Sequence, residues 1–597
     1  MSSSGNDAIT CSRYLTMITS LGLGSYNFLS DTEYEPGKFE SAATESWEKA
    51  ALMLLKNKAI FGTILRQSTL WSSSRSYADA LSLLDKLQSN RSIVNSISTS
   101  TRDMNQDAIP EMLNWTRRAG YSPGDFAKHG LRCIHVAGTK GKGSVCALTE
   151  SILLQYRGDS SGNGVQGGAR KYLGKIGTYT SPHLITVLER IRIDGSPISE
   201  SLFTRYFFEL WNRFSANAPN SDPMSLDTKP GYFRYLTILA LHTFLQEGVE
   251  SAIIECGIGG EYDSTNILPS DAVTVSAIGR LGIDHIGMLG ETIDEIAWHK
   301  AGIMKAGVPA FTIRQIPAAQ IALEKRASEK GVRLEVVKPF TSGDSDATEI
   351  ELAMEGAQQV ENASLAVPVA ATHLRTVGIT SGVPVPNSLP LSVNNMSEQF
   401  RRGLKSAKLR GRFEIQNYGN VEWLIDGAHT IDSIDAVGKW FVKRLEAAIQ
   451  RDSSPAATML IFNQQDRDAE ALIRRLITTI SNGRDFHQQT PVCDAGFNSL
   501  REIKAKTPSV FTYAAFCTNT PFKDEVDQPD LQRQKHMASV YSRLDRNPLH
   551  MCYSSVEEAV EWALKVSEGD GRLLVLVTGS LHLVGGFLRV LDKQHKK

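Results

Sequence analysis

The sequence has no long hydrophobic run. No window of the 597 residues approaches the ~18 consecutive apolar side chains that a membrane-spanning helix needs. It has no surplus of charge of either sign: 64 Lys and Arg stand against 65 Asp and Glu, a net charge of −1. Without excess cation there is little phosphate-counterion release to drive binding. A nucleic-acid binder that is basic overall is therefore excluded, while local basic pockets are not. Cysteine is sparse. Cys11, Cys133, Cys146, Cys256, Cys493, Cys517 and Cys552 are scattered and form no Cys-x-x-Cys pair. That argues against a disulfide framework or a zinc site and fits a reducing compartment. Internal repeats are lacking too. What remains is an ordinary globular composition, 41% hydrophobic and 22% charged. At ~100–200 residues per domain, the length predicts about two to four domains.

Residues 1–50 are polar, with Asp31, Glu33, Glu35, Glu40, Glu45 and Glu48 among few apolar side chains, and read as a weakly ordered tail. From Lys49 to Ala78 acids vanish, while Lys49, Lys56, Lys58, Arg66 and Arg75 appear and Leu54, Phe61, Ile64 and Leu65 recur at helical spacing. Ser72, Ser73 and Ser74 follow, and Met53 stands at the head. Such a segment has the composition of a transit peptide; a surface helix is the plainer alternative. Residues 1–75 are read as an extension, with cytoplasmic and mitochondrial pools expected.

Regular patterning begins at Tyr77. YADALSLLDKLQ has the spacing of an amphipathic helix. LRCIHVAG, SAIIECGIGG, DAVTVSAIG, EWLIDGAH, TMLIFN and RLLVLVTGS are short apolar runs that close on Gly, Asn, Asp or a polar neighbour, each followed by a helical pattern. That alternation predicts an α/β fold with parallel sheets covered on both faces. Ligands in such folds sit at the carboxyl ends of the strands. RGDSSGNGVQGGARK (157–171) reads as a surface insertion. The proline-bearing TSGVPVPNSLPLS (380–392) marks a boundary, giving domains at 76–395 and 396–597. The polar stretch Thr518–Asn547 reads as an inserted loop.

The strongest chemical signal is Gly138-Thr139-Lys140-Gly141-Lys142-Gly143-Ser144, between a strand and a helix. Glycines let backbone N–H groups turn toward phosphate oxygens. The helix N-terminus adds partial positive charge, and Lys142 adds a full one. Ser144 offers a hydroxyl to a metal or a phosphate. The spacing departs from GxxxxGK[ST], because Gly143 lies between Lys142 and Ser144.

GTKGKGS resembles the variant phosphate loop of the Mur ligase superfamily, in the form found in folylpolyglutamate synthases. So do, in the same order, GTYTSPHLITVLERIRIDGSPIS (177–199), ECGIGGEYDSTNIL (255–268), LGIDHIGMLGETIDEIAWHKAGIMK (281–305), LRGRFEI (409–415), LIDGAHT (424–430) and VLVTGSLHLVGG (575–586). The resemblance covers the chain from Tyr77 onward. It implies an N-terminal P-loop ATPase domain and a smaller C-terminal Rossmann-like domain, with the active site between them. It also implies a monomer that takes folate, L-glutamate and ATP with Mg²⁺, and leaves room for a monovalent cation.

Joining a carboxylate to an amine requires an activated carboxyl, which phosphoryl transfer from ATP supplies as an acyl phosphate. The barrier is charge crowding, so cations carry the catalysis. Glu255, at a strand end before a glycine turn, is placed for a hard cation. The resemblance adds Ser181 and His285 as further Mg²⁺ ligands, with Asp284 a competitor for the latter. It implies that Lys300 is carbamylated, although the helix bearing Lys300 and Lys305 could present a plain solvated face. Arg412 and Asp426 resemble the family's ATP-contacting pair, with His429 on the same turn facing the phosphates. Asn362 is retained in GAQQVEN (356–362), where Gln358 stands in place of the family's usual histidine and puts that adenine contact in doubt.

The expectation is thus a folate–glutamate γ-ligase of one-carbon metabolism. Dihydrofolate synthase, which adds the first glutamate to dihydropteroate, is the neighbouring alternative. A non-catalytic nucleotide binder is opposed by the joint presence of Lys142, Glu255, His285 and Lys300. A murein-building ligase is opposed by the TSPHL and SLHLVGG blocks.

Overall fold

The short apolar runs form two sheets in a computed structural model, which describes residues 75–90, 107–158, 171–217, 222, 225–340, 352–385, 396–451, 457–465, 468–485, 509–525, 530–545, 549–570 and 572–594. The acid-poor segment before Tyr77 lies outside the described residues, as does most of the 157–171 insertion. Residues 76–597 form one unit.

The first sheet contains β1 (Arg132–Ala137), β2 (Lys175–Tyr179), β3 (Ile191–Ile193), β4 (Ser196–Pro197), β5 (Val249–Glu255), β6 (Val273–Ile278), β7 (Ala310–Ile313) and β8 (Leu334–Val337). Their order is β4-β3-β2-β5-β1-β6-β7-β8. The second contains β9 (Glu414–Tyr418), β10 (Val421–Ile425), β11 (Ala457–Phe462), β12 (Tyr513–Cys517), β13 (Leu549–Tyr553) and β14 (Leu573–Thr578), in the order β13-β12-β11-β14-β10-β9. Pairing is parallel except at β2–β3, β3–β4 and β9–β10. The central strands β6, β10 and β14 are buried along their whole length, as strands covered on both faces must be. The expected α/β class with parallel sheets is therefore present.

One face of the first sheet packs against the helices Lys142–Leu154 and Ala357–Thr376, through Val145, Leu148, Ile152, Leu365 and Val369. The other packs against Glu200–Ala216 and Tyr232–Gln246, where Phe203, Phe207, Trp211 and Tyr235 form an aromatic cluster. In the second lobe, the helices Ile431–Arg451, Ala469–Asp485 and Gln532–Leu544 cover one face. Val556–Asp570 and Leu581–Gln594 cover the other.

Two expectations need correction. Thr518–Asn547 is not simply a loop, because it contains the helix Gln532–Leu544. Gln534, Met537, Ala538 and Tyr541 recur at three and four and are buried, while the charged Arg533 and Lys535 lie on the other face. Low overall hydrophobicity hid a narrow apolar stripe. The passage between lobes also falls later than residue 395. The helix Glu398–Ser406 lies against Lys142–Leu154, and Phe400, Leu404 and Ala407 join the first lobe's core.

That helix approaches so closely because Gly403 has no side chain. A Cβ there would stand 2.6 Å from Ile152 Cα and 3.0 Å from Ile152 N, and backbone cannot swing aside. Gly403→Ala is therefore expected to destabilise the protein by about 1–3 kcal/mol, the usual cost of overpacking. Gly569, in the helix Val556–Asp570, has nothing within 4 Å of its Cβ direction. Gly569→Ala is expected to be neutral or to stabilise by up to ~1 kcal/mol, because it lowers the entropy lost on forming the helix. Urea midpoints of the two variants, compared with the parent, check both.

Candidate active site

The phosphate loop leaves β1 at Ala137 and enters the helix at Lys142. Gly138 (φ 150°) and Gly141 (φ 81°) take conformations that side chains disfavour. A Cβ on Gly138 would press on the Gly279 backbone at 3.2 Å, and one on Gly141 would collide with the Asn362 amide. Asn362 thus sits over the loop, donating from Nδ2 to Gln359 Oε1 at 3.0 Å. The Thr139 and Lys140 N–H groups donate to Arg280 O at 2.9 and 3.0 Å, and Thr139 Oγ1 donates to Gly282 O at 3.1 Å. These bonds fasten the loop to the segment after β6.

Two ammonium groups converge on one carbonyl. Lys142 Nζ lies 3.2 Å and Lys300 Nζ 3.1 Å from Gly138 O. Lys300 is 3% exposed, so its helix Ile293–Ala301 does not present it to solvent. Burial first, and then the Lys142 charge, push its pKa down to about 7; Asp284 pulls the other way. Lys140 turns outward instead, with Nζ 2.8 Å from Asp432 Oδ2 on the helix Ile431–Arg451 of the second lobe. Ser144 is buried in the first turn of the loop's helix.

Glu255 ends β5, and its backbone pairs with Val136 beside the loop. It is 3% exposed, and burial pushes its pKa up. Lys142, the Ser181 N–H, Arg412 and Arg192 oppose that rise. Ser181 N donates to Glu255 Oε2 at 3.0 Å, so two proposed metal ligands meet although one follows β2 and the other ends β5. His285 caps the short helix Ile286–Leu289, past β6. β5 and β6 flank β1 in the sheet, so the segments that carry Glu255 and lead on to His285 leave it on either side of the phosphate loop; His285, seven residues past β6, is exposed. Among the described residues, no three His, Cys, Asp or Glu side chains form a metal-holding group by themselves.

The second lobe supplies Asp426, Arg412 and His429. Asp426 directly follows β10, is 2% exposed, and accepts the Phe413 N–H at 2.9 Å. Burial pushes its pKa up to about 6 against the pull of Arg412. The Arg412 charge thus acts on Glu255 of the first lobe and on Asp426 of the second. His429 Nδ1 lies 2.8 Å from Gly427 O, which assigns its proton to that nitrogen. The chain leaves β10 and the neighbouring β14 toward helices on opposite faces of the sheet. Asp426 and His429 therefore stand at a topological switch point.

Several positions escaped the sequence. Asp263 is buried and accepts the N–H groups of Gly257 and Ile258 at 2.9 and 3.1 Å, fixing the turn that follows Glu255. An acid before Ser-Thr after a glycine turn was its available signal. Glu189 accepts the N–H groups of Leu184, Ile185 and Thr186 and holds the loop that carries Ser181. Leu184 and Ile185 then pack on the second lobe's core, where Gly411 and Gly585 make room for Leu184.

No family model matches the chain. Two curated fungal relatives do. A protein of Neurospora crassa named folylpolyglutamate synthase is 38% identical over 543 residues, covering 88% of this chain and 93% of the relative. One of Candida albicans with the same name is 40% identical over 536 residues, covering 87% and 97%. The chain belongs to the folylpolyglutamate synthase family. The family's enzymes are ligases that add glutamate to folate. Its two-lobed fold also matches the folylpolyglutamate synthase of Mycobacterium tuberculosis complexed with ADP and AMPPCP, with a TM-score of 0.53 at 20% identity, over 81% of this chain and 97% of that one.

Proposed function

We propose that this chain extends tetrahydrofolate by γ-linked glutamate, with ATP and Mg²⁺, through an acyl phosphate. The observation that carries the reading is the cationic cradle around one buried acid. Lys142, Lys300 and Arg412 gather about Gly138 and Glu255, as a polyanion such as a nucleotide triphosphate requires. The nucleotide named for the M. tuberculosis relative supports the same assignment.

In this scheme a γ-carboxylate oxygen of the folate bonds to the terminal phosphorus, and ADP leaves. The glutamate amine then bonds to the acyl carbon, phosphate leaves, and the amine's proton passes to solvent. The N–H groups at the start of the helix Lys142–Leu154 and the Lys142 ammonium bind the phosphates. Asn362 stands at the adenine side, and Arg412 and His429 face the phosphates from the second lobe. Asp426 suits a ribose or ammonium contact. The donor set fits Mg²⁺: Glu255 is a buried carboxylate that a divalent cation would relieve, Ser181 stands beside it, and His285 is proposed as the third ligand. Mg²⁺ commonly takes one or two protein ligands and completes its shell with phosphate and water. When bound, it would offset phosphate charge. A monovalent cation is proposed as a further activator and a monomer as the working form. Incorporation of labelled glutamate, with tetrahydrofolate compared against dihydropteroate as acceptor, tests the function. Incorporation only into dihydropteroate would replace this reading with the dihydrofolate synthase one.

Lys300 is proposed to carry a carbamate. With a pKa of about 7 it is half neutral near that pH, and only the neutral amine bonds to the carbon of CO₂, releasing a proton. In ¹³CO₂-equilibrated protein, a carbamate resonance is expected that grows from pH 6 to pH 8 and is missing in Lys300→Arg. A spectrum identical in the variant would refute it.

Localisation in cytosol and mitochondria is proposed from the acid-free Lys49–Ala78 segment. N-terminal sequencing of the mitochondrial protein should find a start between about Arg66 and Tyr77. An intact Met1 chain in that fraction, or no protein there, would defeat it.

A further inference from the structure

A cavity of about 430 Å³ opens where the carboxyl edge of the second sheet meets the helix Leu581–Gln594. That volume lies within the range of small-ligand sites. Leu184, Ile185 and Pro521 give it apolar walls, and Gln465, Asn519, His582 and Arg589 give it polar ones. Arg589 is exposed, its guanidinium 5.4 Å from the Phe522 ring centroid and 3.6 Å from Glu525. Leu184 lies three residues beyond Ser181, whose N–H is on Glu255, so the cavity adjoins the candidate active site.

The composition of the lining is selective. Among the described residues its lining has one permanent cation, two carboxamides and one imidazole, and the acid that comes near it, Glu525, is engaged by Arg589 at 3.6 Å. A pocket for a free amino acid needs an acid or a set of carbonyls for the ammonium. This lining suits instead a ligand with carboxylates and amide bonds but no amine. An internal residue of a γ-linked glutamyl chain has that make-up. Its nitrogen is in one amide, its γ-carboxyl in the next, and only its α-carboxylate is free. The two methylenes between them match the apolar walls.

We propose that this cavity holds the glutamyl tail of an acceptor that has already been extended, with Arg589 binding an α-carboxylate. The proposal rests on the folate–glutamate ligase reading, so its test has one arm that needs no turnover. Titration calorimetry with tetra-γ-glutamate, which lacks the pteridine, should show binding to the full-length protein. Arg589→Ala should weaken it at least ~10-fold, as loss of a charged hydrogen bond does, and Arg589→Lys should recover part. In the second arm, Arg589→Ala should raise the ratio of KM for pentaglutamyl to KM for monoglutamyl tetrahydrofolate ~10-fold. Absence of peptide binding, peptide affinity indifferent to Arg589→Ala, or a KM increase confined to L-glutamate would each overturn the tail site. A parent protein that binds the peptide but incorporates no glutamate into any acceptor would instead defeat the ligase reading.

Discussion

Lys142→Ala is expected to lower kcat/KM by at least ~10²-fold, about what removal of a main electrostatic group costs an enzyme. The geometry explains why the loss should fall on turnover. The Lys142 ammonium rests on the Gly138 carbonyl, which it shares with Lys300. An incoming phosphate competes for it from within the same loop, so the cation needs little movement to follow the charge through phosphoryl transfer. Lys142→Arg should restore only part of the rate, since a planar fork replaces a compact ammonium. Steady-state kinetics with ATP varied is the measurement. Near-normal turnover in the alanine variant would remove the assignment of the loop.

Glu255→Gln is expected to have an effect of similar size on activity, about 10²-fold or more, with a raised Mg²⁺ requirement. Its effect on folding should run the other way. Burial pushes the Glu255 pKa above its unfolded value. Folding therefore favours its protonated form, and the ionised form costs stability once pH rises through that shifted value. At neutral pH the neutral glutamine isostere is released from that cost. The variant should thus unfold at an equal or higher temperature than the parent without ligands, yet be nearly inactive. Such opposition is typical where function needs a strained charge. Calorimetry and Mg²⁺ titration of activity together check the prediction. Loss of activity accompanied by a lower unfolding temperature would point to a structural acid instead.

Much of this was legible in the sequence because the chemistry is carried by short, dense signals. Gly138 to Ser144 holds glycines, lysines and a serine within one loop, and local sequence dictates local backbone there. The strand runs were equally plain, since strands buried on both faces, such as β6 and β14, are apolar throughout. What could not be read was set by contacts across hundreds of residues. The shared Gly138 acceptor joins Lys142 to Lys300, and no spacing rule connects them. The Lys140–Asp432 pair spans the lobes, as does the seating of Leu184 against Gly411 and Gly585. The helix Gln532–Leu544 was missed for a different reason. Only one face of it is buried, and its average polarity resembles that of a loop.

The links between the lobes differ in kind: beside the Lys140–Asp432 pair and the seat of Leu184, Glu355 of the first lobe accepts the Trp440 Nε1–H at 2.8 Å and pairs with Arg444 at 3.3 Å on the helix Ile431–Arg451. The Lys140–Asp432 ion pair is a catch on the surface: Asp432 is 86% exposed, and such pairs are worth ~0–1 kcal/mol and weaken as ionic strength rises. The seat of Leu184 against the second lobe is apolar and indifferent to salt at ordinary concentrations. Dilute electrolyte should therefore hold the catch closed, while concentrated electrolyte, or an anion that draws Lys140 into the phosphate loop, should release it. The Leu184 seat and the part-buried Glu355–Arg444 pair would still hold the lobes together.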